Sequence, residues 1–236
     1  MPILSAFGAA RTIPMGGSGS AVSNFSYDFD GTTFFTYPAS SAFAAGTLDF
    51  SIECFVYLTS APGLNGANIL DFSYSAASGS TKSRFFIDSS YRPAFQRSTG
   101  TTGGFNLATS SITVSLNTWT YVAVSRVSGS TKIFVGSSVG VTSTSIGSIT
   151  NSLVPYVGKA LNFGLSFFDG LISNLRYNVG SGFSTATVPT SPLTAVATTK
   201  MLTCQSSTVK DNSVANGGGP WTLTNSGVIV STSSPF

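Results

Sequence analysis

The chain has no histidine and one glutamate, Glu53, among its 236 residues. Without histidine, the usual general base, the Ser-His-Asp arrangement and the commonest metal ligand are all missing. A cysteine nucleophile would also lack its ordinary partner. Glycoside hydrolysis normally uses two carboxylates flanking the scissile bond. The pairing on offer is Asp49 with Glu53, on one face of the run Asp49, Ser51, Glu53, Phe55. Phe55 interrupts any longer series of acids there. Glu53 reads otherwise as a strand acid facing the rim or a basic neighbour. These residues predict a protein that is not an enzyme.

Metal binding is the next chemistry to weigh. Calcium takes about six to eight oxygen ligands, from carboxylates, amides and backbone carbonyls. Asp28 and Asp30 are two residues apart, so on a strand their carboxylates point the same way. They are the candidate ligands, with calcium the metal they would suit. The competing reading is that Asp30-Gly31 simply makes a turn. Asp71 and Asp88 could serve as loop ligands, though nothing in their spacing is specific. No other cofactor is expected.

Sugar binding needs aromatic faces to stack on rings, flanked by amides and carboxylates. Tyr74, Tyr91, Phe95, Gln96, Phe105 and Asn106 lie in turn-rich segments and are the candidate glycan contacts. Each aromatic among them could instead be core, because such rings bury large apolar areas. Arg84, Arg92 and Arg97 form the densest basic cluster. They predict either a solvated edge or a contact with an acidic surface or neighbouring subunit.

The elements that must hold these residues read as strands. Charged residues make up 8% of the chain, against about 25% in an average soluble protein. Apolar residues make up 42%, including 19 Phe, which is ample for a core and too apolar for disorder. Phe50, Ile52, Cys54 and Val56 alternate with Ser51, Glu53, Phe55 and Tyr57, a period-two pattern that predicts a strand. Residues 119–126 repeat the pattern, and 131–136 follow across Ser128-Gly129-Ser130, a hairpin-length turn. Residues 168–177, 201–204 and 221–224 are further predicted strands. Residues 40–45 are the one stretch read as a short helix or turn. Many short strands separated by Gly, Ser and Pro predict an antiparallel sandwich or barrel. Cys54 and Cys204 fall in apolar runs, so buried free thiols are expected; a bridge would depend on a distance that spacing does not supply.

Residues 1–23 read as an N-terminal arm, with Pro2, Pro14 and the flexible run Gly16-Gly17-Ser18-Gly19-Ser20. Ile3, Leu4, Phe7, Arg11 and Ile13 are the expected assembly contacts of that arm. No charged residue precedes the apolar start, and Arg11 comes after it, so a secretory signal is not expected. No run of about 20 apolar residues suggests a membrane span. The net charge of +3 is scattered, so nucleic acid is not an expected partner.

Several segments then resemble a known family in order. These are Tyr27-Asp28-Phe29-Asp30-Gly31, residues 47–57, residues 117–126, and Phe168-Asp169-Gly170-Leu171-Ile172-Ser173-Asn174-Leu175-Arg176. They resemble the strands of concanavalin A-like, laminin-G-like domains. Cys54 stands where that family often has Phe, and Tyr121 where it often has His. The resemblance implies an antiparallel jelly-roll β-sandwich over residues 24–236. It also implies a rim calcium in many relatives. The tail, with residues 190–195, Leu202-Thr203-Cys204-Gln205-Ser206, Asp211-Asn212-Ser213 and Ser234-Pro235-Phe236, is similar to a subgroup found in virion proteins of marine bacteriophages. That implies a non-enzymatic virion structural subunit, such as a capsid decoration, neck or tail appendage. It would be made in the host cytoplasm and be homo-oligomeric, with other virion proteins as partners. The alternative is a glycan-binding module that recognises a host cell-surface polysaccharide; a glycoside hydrolase is the remote one.

Overall fold

The computed structural model describes residues 24–72, 83–98, 105–150, 153–161, 166–213 and 219–236. The arm, with Ile3, Leu4, Phe7, Arg11 and Ile13, lies outside the described residues, as does Tyr74. Seventeen strands form among the described residues. In chain order they are β1 Ser26–Asp30, β2 Phe34–Thr36, β3 Phe50–Leu58, β4 Ala67–Phe72, β5 Ser83–Ile87 and β6 Pro93–Ser98. Then come β7 Phe105–Thr109, β8 Thr120–Val127, β9 Ser130–Val135, β10 Ser138–Ser143, β11 Pro155–Val157 and β12 Lys159–Ala160. The last five are β13 Ser166–Phe167, β14 Asp169–Val179, β15 Thr199–Thr203, β16 Thr224–Ser226 and β17 Ile229–Ser231.

They build two antiparallel sheets packed face to face. One runs β10-β9-β8-β3-β14-β1-β17, with β15 also on β14; the other runs β16-β2-β11-β4-β5-β6-β7. The consecutive strands β16 and β17 join an edge of each sheet, β16 on β2 and β17 on β1. Strands β12 and β13 form a separate small hairpin. This is the sandwich that the alternating pattern predicts.

Period-two alternation explains the core. Phe50, Ile52, Cys54 and Val56 of β3 face inward and are fully buried, against Phe85, Ile87 and Phe95 of the other sheet. The β8–β9 turn places Ser128 and Gly129 at positive φ, which matches a two-residue hairpin. The short helix expected within 40–45 is a single 3-10 turn, Ser41–Phe43, capped by the Ser40 hydroxyl. Cys54 and Cys204 are free and buried, and burial raises both thiol pKa values well above the ordinary range.

One predicted strand is corrected. Residues 221–224 do not run as a strand; the pairing begins at Thr224. The Trp221 amide donates to Asp211 and its indole N–H to the Lys200 carbonyl, so side-chain hydrogen bonding holds this segment out of a ladder. Asp211 also accepts from the Tyr37 hydroxyl, the Leu202 amide and the Ser213 hydroxyl. That buried carboxylate ties the tail to the core.

Candidate functional site

The two sheets present very different outer faces. On the eight-stranded sheet, Phe55, Tyr121, Ala123 and Phe134 form a second apolar cluster outside the main core. Phe183, Ala186 and Phe236, from later in the chain, pack over this cluster. The strap is pinned by the Phe183 amide on the Ser125 hydroxyl, by Leu193 on Asn174 and by Lys132 on the Ser184 carbonyl.

Glu53 lies beneath this strap. Its Oε1 accepts two hydrogen bonds from Arg176, at 3.0 and 2.7 Å, and its Oε2 accepts from the Tyr121 hydroxyl at 2.7 Å. Arg176 also donates to the Thr194 carbonyl. Burial, reinforced by the Glu53 charge, raises the Tyr121 pKa, so Tyr121 stays a donor. A small recess of 240 Å³ adjoins the group, lined by Glu53, Tyr121, Arg176, Phe183, Pro189 and Leu193. Asp49, the suggested catalytic partner, instead accepts from the Ser128 amide at the β8–β9 turn. Glu53 is a neutralised strut, with both oxygens occupied.

The seven-stranded sheet differs. Its register aligns Thr224, Thr36, Tyr156, Asp71, Arg84, Gln96 and Leu107 in one row across all seven strands. Their chain neighbours Phe35, Val157, Leu70, Phe72, Phe85, Phe95 and Ala108 fill the core. Side chains alternate along strands, so the row points away from that core.

At its centre the Arg84 guanidinium stacks on Phe86 at 3.8 Å, donates to the Gln96 amide oxygen at 3.0 Å, and donates to the Asn65 carbonyl at 2.9 Å. Burial pushes its pKa down to about 10, partly offset by Asp71, so it remains a cation near neutral pH. Asp71 accepts the Leu161 amide at 2.7 Å. Among the described residues, the Gln96 side chain bonds through its oxygen to Arg84.

The β12–β13 hairpin walls this row on one side. The Asn68 side chain donates to the Lys159 carbonyl, and the Ser166 hydroxyl to the Gly66 carbonyl. Lys159 Nζ lies 4.3 Å from the Phe34 ring centroid. Leu161, Leu107 and Phe105 are 46%, 52% and 40% exposed. The face thus sets polar groups beside exposed apolar side chains. That combination suits a sugar, whose C–H faces are apolar and whose hydroxyls need donors and acceptors.

The expected glycan contacts divide. Gln96 and Phe105 lie on this face, since Gln96 pairs with Leu107 and Phe105 with Ser98. Phe95 does not: it is 0% exposed and packs on Phe50 with ring centroids 5.5 Å apart. The period of two turns it inward when Gln96 turns outward. Asn106 points to the opposite side from Leu107 and Phe105 and donates to the Ser145 carbonyl. Tyr91 sits in the β5–β6 turn at φ 63° and packs against the core from the end of the sandwich. Sequence reasoning missed Tyr156 and Lys159, and it took Asp71 for a loop residue where the structure has it in β4. Their one signal was outward alternation beside buried apolar neighbours.

The three arginines do not converge either. Arg92 pairs with Asp88 at 2.8 Å within a turn, and Arg97 donates to the Ser148 carbonyl. Asp88 is the acceptor that shapes that turn, and Asp71 lies within a strand, so neither is a loop ligand.

Asp30 spends Oδ1 on the Thr32 hydroxyl, the Thr32 amide and the Thr33 amide, at 2.8–2.9 Å. Asp28 shares its outward face. Among the described residues no group of three or more acids, thiols or imidazoles gathers to hold a metal. Asp30 is a turn former. Its carboxyl pKa is lowered, chiefly by the Thr32 hydroxyl. A depressed folded value means the turn's contribution is complete above the unfolded value, about 3.9, and is lost as pH falls through the folded value. Carboxyl-detected NMR should place the Asp30 midpoint below about 3.9, and Thr32→Ala should move it up. A midpoint unmoved by that change would contradict the assignment.

The comparisons with known proteins agree with this architecture. The family model described as the concanavalin A-like lectin/glucanases superfamily matches residues 29–178. No curated protein sequence matches the chain. Among solved structures, a Bacteroides ovatus protein to which carbohydrate binding has been ascribed superposes with a TM-score of 0.60 at 15% identity. The match covers 88% of this chain and 59% of that one, so this chain spans less than two thirds of its length. Domain 4 of an extracellular arabinanase from Geobacillus stearothermophilus, solved with arabinotriose, gives 0.53 at 13% identity, covering 67% and 72%. Mouse laminin α1 domains LG4-5 give 0.52 at 16%, covering 71% and 47%. Likeness at these identities shows the fold alone. With the family model matching well over half its length, this chain belongs to the concanavalin A-like lectin/glucanase superfamily.

Proposed function

We propose that this chain binds carbohydrate on the outer face of its seven-stranded sheet and does not cleave it. The observation that carries this reading is the contrast between faces. On one sheet the outer apolar cluster is covered by the chain's own Phe183, Ala186 and Phe236, while the other keeps Gln96 and Tyr156 on a half-buried polar row beside exposed Leu107 and Leu161. The solved relatives described with carbohydrate binding or a bound arabinotriose support it. Occupation of both Glu53 oxygens by Arg176 and Tyr121 supports the absence of cleavage.

A glycan array of neutral and acidic oligosaccharides probed with the full chain tests it. Binding is expected, with Gln96→Ala and Tyr156→Ala each weakening it by roughly 1–2 kcal/mol, about five- to thirtyfold. No binding, or binding indifferent to both changes, overturns the reading.

A second reading is that the module is displayed on a phage particle after synthesis in the host cytoplasm. The tail motifs favour it, since they resemble those of virion proteins and Asp211 builds them into the core. In that reading residues 1–23 make the subunit contacts. Particles that incorporate a 1–23 deletion normally would count against it.

A further inference from the structure

We propose that the saccharide bound on this face is acidic and that Lys159 seats its negative charge. This rests on the carbohydrate-binding reading above. Lys159 is half-buried on β12, and its ammonium lies among three rings. The centroids of Phe34, Phe167 and Tyr156 are 4.3, 5.5 and 6.0 Å from Nζ. Attraction to ring faces holds a cation in place without neutralising it. Among the described residues the ion pairs are Arg92 with Asp88 and Arg176 with Glu53, so Lys159 has no carboxylate partner there.

The other charges in the row offset one another. Asp71 and Arg84 are 1% and 6% exposed and attract each other. The charge this face offers a ligand, among its described residues, is therefore the Lys159 ammonium. An ammonium has three donors, which ring faces do not satisfy as an anionic oxygen would. A carboxylate or sulfate on a pyranose would complete it with a charge-assisted hydrogen bond, which is stronger than one to a hydroxyl. Uronate and sulfate ester share that chemistry.

Matched backbones separate charge from sugar. The full chain is titrated calorimetrically with dextran and dextran sulfate, and with highly methyl-esterified and de-esterified pectin. The charged member of a pair is expected to bind more tightly, with a preference that shrinks as salt rises. Lys159→Gln should weaken the charged member on the order of tenfold and the neutral member by much less. Lys159→Arg should keep the preference, which guards against a folding defect. Lys210→Gln removes the same charge from an exposed position and should change neither member. Preference for the sulfated or the de-esterified chain alone identifies the anion and supports the proposal. Equal losses in Lys159→Gln and Lys210→Gln would reduce the effect to net charge and overturn it. Equal wild-type affinity for charged and neutral members also overturns it, leaving carbohydrate binding intact. Failure to bind either pair or any array glycan overturns both readings.

Discussion

Replacing Glu53 by alanine is expected to destabilise the protein by about 3 kcal/mol, because the change leaves a largely buried guanidinium without its counter-ion. The Glu53 and Arg176 side chains are 4% and 18% exposed, and their nearest atoms are 2.7 Å apart. Tyr121 loses its acceptor at the same time. For a chain of this length each kcal/mol corresponds to about 2–4 °C, so the melting temperature should fall on the order of 10 °C. Glu53→Gln, which keeps an acceptor for Arg176, should cost much less. Changing both Glu53 and Arg176 to methionine should cost less than the alanine change alone, because neither charge is then stranded. Arg176 also holds the Thr194 carbonyl, so the strap should loosen with Glu53→Ala. Faster hydrogen exchange at the Phe183 and Leu193 amides would report that. Neither wild type nor variant should release reducing sugar from a polysaccharide. Release that disappears in Glu53→Gln would make Glu53 catalytic and contradict the strut assignment.

Phe95→Ala is expected to cost about 3–5 kcal/mol while leaving the carbohydrate affinity of the folded molecule unchanged. Phe95 is fully buried between the sheets, its ring on Phe50. Phe50 in turn lies beneath the Arg126 guanidinium, 4.9 Å from its ring. Arg126 donates to the carbonyls of Gly46, Leu48 and Gly147. A cavity at Phe95 therefore removes support from a network that fastens the loops at one end of the sandwich. Chemical denaturation measures the first half of this expectation, and calorimetric titration at a temperature where the variant is folded measures the second. Wild-type stability with lost binding would return Phe95 to the ligand face.

These two residues mark where local pattern stopped being informative. The strand at Phe50–Leu58 is legible because period-two alternation is a property of neighbouring residues. The same holds for the β8–β9 hairpin, whose Ser128-Gly129 turn is local. Alternation says that Phe95 and Gln96 face opposite ways, but not which of them faces the core. That choice depends on what the other sheet brings, here Phe50. Trp221 shows the converse: an apolar run that looks like a strand is held in a loop by Asp211, a hydrogen bond no local pattern announces.

The candidate site was legible in part. Gln96 and Phe105 came from residue type, and both reached the face. Tyr156 and Lys159 were not picked out, because each is unremarkable beside its chain neighbours, and Asp71 was expected in a loop. Tyr156 and Asp71 become a row only when β11, β4, β5 and β6 pair in register, and Lys159 reaches it from β12. The basic cluster failed for the same reason, as strand and turn geometry sends Arg84, Arg92 and Arg97 to separate partners.

By itself, then, the sequence determined an all-β chain with a large aromatic core, no histidine-based chemistry and an ordered set of strands that resembles the family. Those properties follow from composition and short-range alternation. Which sheet stays open was decided by tertiary structure alone. Phe183 and Phe236 pack over the apolar cluster on one face, and the β12–β13 hairpin walls the other beside Lys159. Both depend on contacts between residues distant in the chain, whose register is set by packing two sheets together.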